Sequence, residues 1–172
     1  MHAEIINFKA TDGIENDGYI INNDSKKIII SVHGMSSNCF KERDKYISRK
    51  AFESGFAYLA FNNRGSELVK YIRKTIDGKN IKFLGGTTYE DPQECYYDIK
   101  GAILKAVELG YEEIYLQGHS LGTTKIIYTY NKLKNENSEL VKYIKGIILL
   151  SLVDIPRTLK IFLNQNFENT LK

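Results

Sequence analysis

The residues best able to do chemistry stand together at Gly118-His119-Ser120-Leu121-Gly122. A strand-like run, Glu113–Gln117, precedes them, and a helix-like run, Leu121–Lys134, follows. A serine flanked by glycines at such a junction implies a very sharp strand-to-helix turn. Its backbone is strained there and its hydroxyl is pushed into the open, poised to attack an electrophile. Gly118 and Gly122 leave room where side chains would meet neighbouring backbone. The helix that starts at the serine aims its first N–H groups at the reaction centre and favours negative charge there. As a plain turn, the same residues would be glycines for geometry and a serine cap. The strand before and the helix after favour the chemical reading.

Elements elsewhere in the chain must position this turn. Ala3–Phe8 and Gly18–Asn22 read as short strands, an antiparallel pair at a sheet edge. Lys27–Val32, KIIISV, is a β-branched run suited to a strand covered on both faces, and it ends at His33-Gly34-Met35. Phe40–Ser54 reads as a helix, with Phe40, Ile47 and Ala51 on one side and Gly55 as its stop. Phe56–Phe61 is the next strand and runs into Asn62-Asn63-Arg64-Gly65. Asp77-Gly78 between two short runs predicts a hairpin. Asp91-Pro92-Gln93-Glu94 starts a helix like a capping box, and Gly110 ends it. Ile144–Val153 contains a fourth buried strand, and Asp154-Ile155-Pro156 opens a last helix. Such alternation implies right-handed crossovers and a mainly parallel sheet with flanking helices, an α/β fold. Ligands of such sheets bind beyond the carboxyl ends of the strands, where Ser120, His33 and Arg64 all fall. His33 reads as a structural loop histidine, and Arg64 as a structural arginine that anchors a loop.

Composition narrows the classes. Of 172 residues, 42% are hydrophobic and 26% charged, an ordinary globular balance that excludes a disordered or collagen-like chain. A net charge of +3, from 24 basic and 21 acidic residues, is too small to argue for nucleic acid. No stretch approaches the roughly 18 uninterrupted apolar residues of a membrane span. Met1-His2-Ala3-Glu4 lacks the basic and apolar regions of a secretory signal. Cys39 and Cys95 are too few for a disulfide framework and lack metal-site spacing. The expectation is one unit over residues 1–172, reduced and cytoplasmic, with no metal or organic cofactor. Residues 66–84 carry Lys70, Arg73, Lys74, Lys79 and Lys82 against Glu67 and Asp77 and read as a solvated basic face.

VHGM at Val32–Met35, FNNRG at Phe61–Gly65 and LQGHSLG at Leu116–Gly122 together resemble the α/β-hydrolase superfamily, in its serine esterase and lipase branch. The order of strands and helices from Lys27 to Val153 is similar as well. GTTYEDPQECYYDI at Gly86–Ile99 and ILLSLVDIP at Ile148–Pro156 resemble an esterase-like branch that names no substrate. The resemblance implies Ser120 as nucleophile, with the Met35 and Leu121 amides as oxyanion donors. His33, Gly34, Gly118, His119, Gly122 and Arg64 would support them. The implied partner is a small-molecule ester.

One part of the pattern departs. The family's triad runs in the chain order serine, acid, histidine. The three histidines here, His2, His33 and His119, all precede Ser120. Asp154 follows a sheet strand and is a candidate acid, although it also suits the cap of the last helix. The expectation is therefore a C-terminally incomplete hydrolase domain, resembling its first two-thirds, nearly inactive alone and in need of a completing segment or partner chain. The rival expectation is a non-catalytic hydrolase-like module used for binding.

Overall fold

The computed structural model describes residues 1–76 and 78–152. The chain opens with β1 (Glu4–Lys9) and β2 (Glu15–Ile21), then β3 (Lys27–Val32), helix α1 (Glu42–Glu53) and β4 (Ala57–Asn62). A hairpin of β5 (Lys70–Ile76) and β6 (Lys79–Gly85) follows, then helix α2 (Cys95–Glu108) and β7 (Glu113–His119). Helix α3 (Leu121–Asn135) and β8 (Ile144–Leu150) complete the described part. Six strands form one sheet in the order β1-β2-β4-β3-β7-β8, and β5 and β6 form a separate ribbon. The four strands β4, β3, β7 and β8 run parallel, and β1 and β2 are antiparallel at one edge. The architecture is a mostly parallel sheet with helices on both faces.

The sequence of β3 shows why it takes the middle of the sheet. Ile28, Ile30 and Val32 point to one side and pack in the cluster that holds Leu59, Phe61, Ile114 and Leu116. Ile99 and Ile103 of α2 and Ile126 and Leu133 of α3 close that cluster. Ile29 points to the other side and joins Tyr58 and Ala60 with Ala51 of α1. Both faces are covered, so the strand needs a continuous apolar run rather than alternation. Ser31 is the exception, and its hydroxyl donates to Asp44 Oδ1 of α1 at 2.7 Å. Gln117 Nε2 donates to that hydroxyl and to Tyr58 OH, which itself donates to Asp44. A buried polar network thus fixes α1 over β3, β4 and β7. The free thiols Cys39 and Cys95 are buried in the two opposite layers, and burial pushes each up to about 12.

Several boundaries move. β2 begins at Glu15 rather than Gly18, because the polar Glu15, Asn16 and Asp17 already pair with β1. Gly18 is required where it stands, since a Cβ there would lie 2.7 Å from Phe61 Cα on the paired β4. α1 starts at Glu42, and Phe40 lies outside it, exposed but stacked on Tyr19. Asp91 does cap, accepting from Gln93 N at 2.9 Å, but Pro92–Glu94 is a 3-10 turn and Glu94 reaches Arg64 instead of completing a capping box. β8 is only partly buried, because among the described residues it is an edge strand paired with β7 alone. The hairpin forms as expected, with Ile76 paired to Lys79, while Asp77 itself lies outside the described residues. Its Ile72 packs on Ala10 and Ile14 beside the main sheet. The helix expected from Ile155, together with Asp154, lies outside the described residues.

Candidate active site

Gly118 and His119 end β7, and Ser120 makes the turn into α3. Ser120 has φ 53° and ψ −124°, a region that costs a non-glycine residue about 1–3 kcal/mol and persists only where surrounding structure enforces it. Three constraints enforce it. Ser120 N–H donates to Leu150 O of β8 at 2.9 Å, and Thr123 donates from both its N–H and its hydroxyl to Ser120 O. A Cβ on Gly118 would come within 2.5 Å of Gly122 C, and one on Gly122 would collide with the Val32 and His33 carbonyls. The strand, turn and helix therefore pack backbone to backbone, and only glycine permits that approach. Ser120 stays partly accessible.

The loop after β3 belongs to the same end of the sheet. A Cβ on Gly34 would stand 2.9 Å from His119 O, 3.0 Å from Ser120 Cβ and 3.5 Å from Leu121 N. Met35 follows directly and is exposed. Neither the Met35 nor the Leu121 N–H donates to a backbone carbonyl among the described residues. Two free amides beside a turned-out serine, at the positive end of a helix, form a place where negative charge can develop.

His33 is buried beneath this loop. Its Nδ1 lies 2.9 Å from Gly34 O, and its Nε2 lies 3.3 Å from Asn63 N. A carbonyl can only accept and a backbone amide can only donate, so Nδ1 carries the proton and Nε2 is the acceptor. Burial pushes its pKa down to about 3, against a smaller opposing effect of the Gly34 carbonyl. His33 is thus a neutral strut with both nitrogens committed. His119 is half-buried, and burial, followed by the charge of Arg43, lowers its pKa. His2 is exposed beside β1, at the sheet edge away from β7.

Arg64 is also buried, held by Asp98 at 3.0 Å, Glu94 at 2.8 Å and Asp12 at 3.1 Å. Burial alone would lower its pKa, but Asp98 and then Asp12 and Glu94 raise it. It clamps the loop after β4 to α2 and to the β1–β2 turn. Sequence reasoning missed a second polar group here. Lys125 of α3 and Glu90 pair with each other, their side chains only 1% and 2% exposed. Lys125 Nζ also donates to Asn63 Oδ1 at 3.4 Å. A lysine at a helix position that must be buried, five residues after the serine, was the available signal. Its partner 35 residues away was not.

Among the described residues, no group of three or more His, Cys, Asp or Glu side chains converges as a metal would require. No helix among them is long and apolar enough to cross a membrane.

No family model matches the chain, and no curated protein sequence does. Solved structures do resemble it. The esterase Pf2001 of Pyrococcus furiosus is 21% identical, with a TM-score of 0.59 over 84% of this chain and 50% of that one. Est1E of Butyrivibrio proteoclasticus, solved with ferulic acid bound, is 20% identical, with a TM-score of 0.66 over 90% and 56%. The α/β hydrolase GrgF of a Penicillium species is 13% identical, with a TM-score of 0.67 over 99% and 54%. The fold is that of the α/β hydrolases. The chain spans about half the length of these structures. Within an α/β-hydrolase sheet, the turn at Ser120 and the loop at Gly34 stand side by side at the carboxyl ends of β7 and β3.

Proposed function

We propose that this chain supplies the nucleophile and the oxyanion donors of a serine hydrolase acting on carboxylic esters. The observation that carries the reading is Ser120 at positive φ, fixed between three backbone-packed glycines beside two amides that have no partner among the described residues. The esterase names among the solved structures with the same fold support it. In the proposed reaction Ser120 Oγ bonds to the ester carbonyl carbon and gives its proton to a base. The carbonyl oxygen becomes an oxyanion that accepts from Met35 and Leu121 N–H. The C–O bond to the alcohol then breaks, the alcohol leaves with a proton, and water releases the acid from the acyl-serine.

The base is the open part of the proposal. His33 has both nitrogens engaged and lies under the loop rather than in front of the serine. The triad histidine is therefore assigned to a segment or partner chain that completes the site, with Asp154 or a later acid orienting it. Removing the histidine from such a triad costs about 10⁶ in kcat, and oxyanion donors and binding leave about 10³–10⁴ over water. The 172-residue chain should hydrolyse a p-nitrophenyl short-chain ester barely above background, with Ser120→Ala changing little. A version extended to include a triad histidine should gain on the order of 10⁶ and lose it with Ser120→Ala. A fluorophosphonate should then label Ser120. Strong Ser120-dependent turnover by the short chain would overturn this division of labour.

One observation favours a second reading, a non-catalytic binding module: all three histidines of this sequence precede Ser120, and both ring nitrogens of His33 are engaged elsewhere. An extended chain that binds esters yet never labels with fluorophosphonate would select it.

A further inference from the structure

The ester-hydrolase reading assigns no task to the buried Lys125–Glu90 pair. Replacing a buried ion pair with packed apolar groups is often neutral or stabilising, so its presence is weak evidence of a stability role. Its placement is informative. Lys125 rises from α3, the helix that Ser120 starts, and Glu90 comes from the segment before α2. The Glu90 carboxylate lies against the Gly65 backbone, where a Cβ would come within 2.5 Å of its Oε1. Asn63 is fully buried, and its Oδ1 accepts from Lys125 Nζ and from Gly65 N–H at 3.0 Å. These two donors fix which end of the amide is oxygen, which leaves Asn63 Nδ2 without a partner among the described residues. A buried amide donor left unpaired is costly, so a constraint on its other atoms outweighs that cost. Asn63 N–H in turn donates to His33 Nε2, and His33 Nδ1–H donates to Gly34 O.

We propose that the Lys125–Glu90 pair is a positioning device which, through Asn63 and His33, sets the loop carrying the Met35 amide relative to Ser120. The chain of contacts runs from the serine's own helix to the opposite wall of the oxyanion site. Any displacement of α3 is therefore passed to the Gly34 loop, and the two donors keep their separation. The pair acts through other groups and touches no reacting atom. This inference rests on the ester-hydrolase reading for its purpose, but the linkage itself can be read without turnover.

The test compares the full chain with the double variant Lys125→Met/Glu90→Met, which leaves no unpaired buried charge, and with Asn63→Ala, which keeps the pair and the backbone N–H facing His33 but removes the side-chain oxygen that ties them to Lys125. Nitrogen NMR reports the His33 tautomer, and amide spectra report Gly34 and Met35. Thermal unfolding reports the fold. The expected result is a folded double variant in which His33 no longer holds a single Nδ1–H tautomer and the Gly34 and Met35 resonances shift. Asn63→Ala should reproduce that pattern. In a histidine-completed chain, either change should slow fluorophosphonate labelling of Ser120 at least tenfold and lower kcat more than it alters KM. Unchanged His33 and Met35 signals in folded variants would overturn the proposal. So would normal signals together with a normal labelling rate. Failure of the completed wild-type chain to label would instead overturn the hydrolase reading, and the NMR comparison would still decide the linkage.

Discussion

At the scale of single residues, His33 shows how burial converts a reactive side chain into a structural one. Its pKa is pushed down to about 3 by burial, so the folded chain refuses a proton that the unfolded chain accepts near 6.5. The unfolded state binds more protons between those values, so stability rises with pH there and falls as the solution is acidified below 6.5. The rate is about 1.4 kcal/mol per pH unit, or about 2 kcal/mol lost between pH 7 and pH 5. His119, whose pKa is also lowered by burial, adds in the same direction. Chemical denaturation across pH 4–8 should show a plateau above pH 7 and a decline below it, and His33→Gln should flatten the decline. A pH-independent midpoint would contradict a neutral buried imidazole. The three glycines around Ser120 make a second residue-level prediction. Gly122→Ala places a methyl against the Val32 and His33 carbonyls and should cost about 2–4 kcal/mol by overpacking. Gly55→Ala meets nothing within 4 Å and suffers only its φ of 81°, about 1–2 kcal/mol. Melting temperatures of the two variants should therefore separate by several degrees, at about 2–4 °C per kcal/mol.

At the scale of elements, Arg64 is the tie among the loop after β4, α2 and the β1–β2 turn. Among the described residues, Arg64→Met would leave the fully buried Asp98 carboxylate facing only Asn16 Nδ2 and the backbone N–H of position 64, and should cost about 3–5 kcal/mol. Pairing it with Asp98→Leu should recover most of that loss in denaturant titrations; an additive double loss would contradict the ion-pair account. The same element shows what could be read from the chain beforehand. β3, β4, β7 and the glycine-flanked turn were legible because their information is local, in β-branched runs, period and turn residues. Glu94 has the spacing of a capping box, but its partner, Arg64, is 30 residues distant and no local pattern shows it. Lys125 and Glu90 were invisible for the same reason, since charged residues advertise exposure unless their mates are known. The polar start of β2 was missed because Glu15 and Asp17 are unfavourable in strands on propensity alone, and ladder pairing with β1 decides. The partial burial of β8 is not legible in its sequence, because an apolar run has the same appearance at the middle of a sheet and at its edge.

At the scale of the whole molecule, the sheet divides the described interior into two compartments that share β2, β3, β4, β7 and β8 but no helix. One holds α2 and α3 with the larger core, and the other holds α1 and the Asp44 network. Each compartment contains one cysteine, Cys95 in the first and Cys39 in the second, and neither thiol reaches solvent appreciably. Burial holds both pKa values near 12, so the thiolate that an alkylating reagent needs is almost absent in the folded state at neutral pH. Alkylation must then wait for local opening. The chain accordingly carries its own pair of clocks, one for each side of the sheet. Under native conditions a maleimide followed by mass spectrometry should modify the two sites at separate rates, each set by how often its compartment breathes. Equal rates that track global unfolding would mean that the two sides open as one body, whereas a faster Cys39 would mean that α1 lifts away while the helices behind Ser120 stay closed.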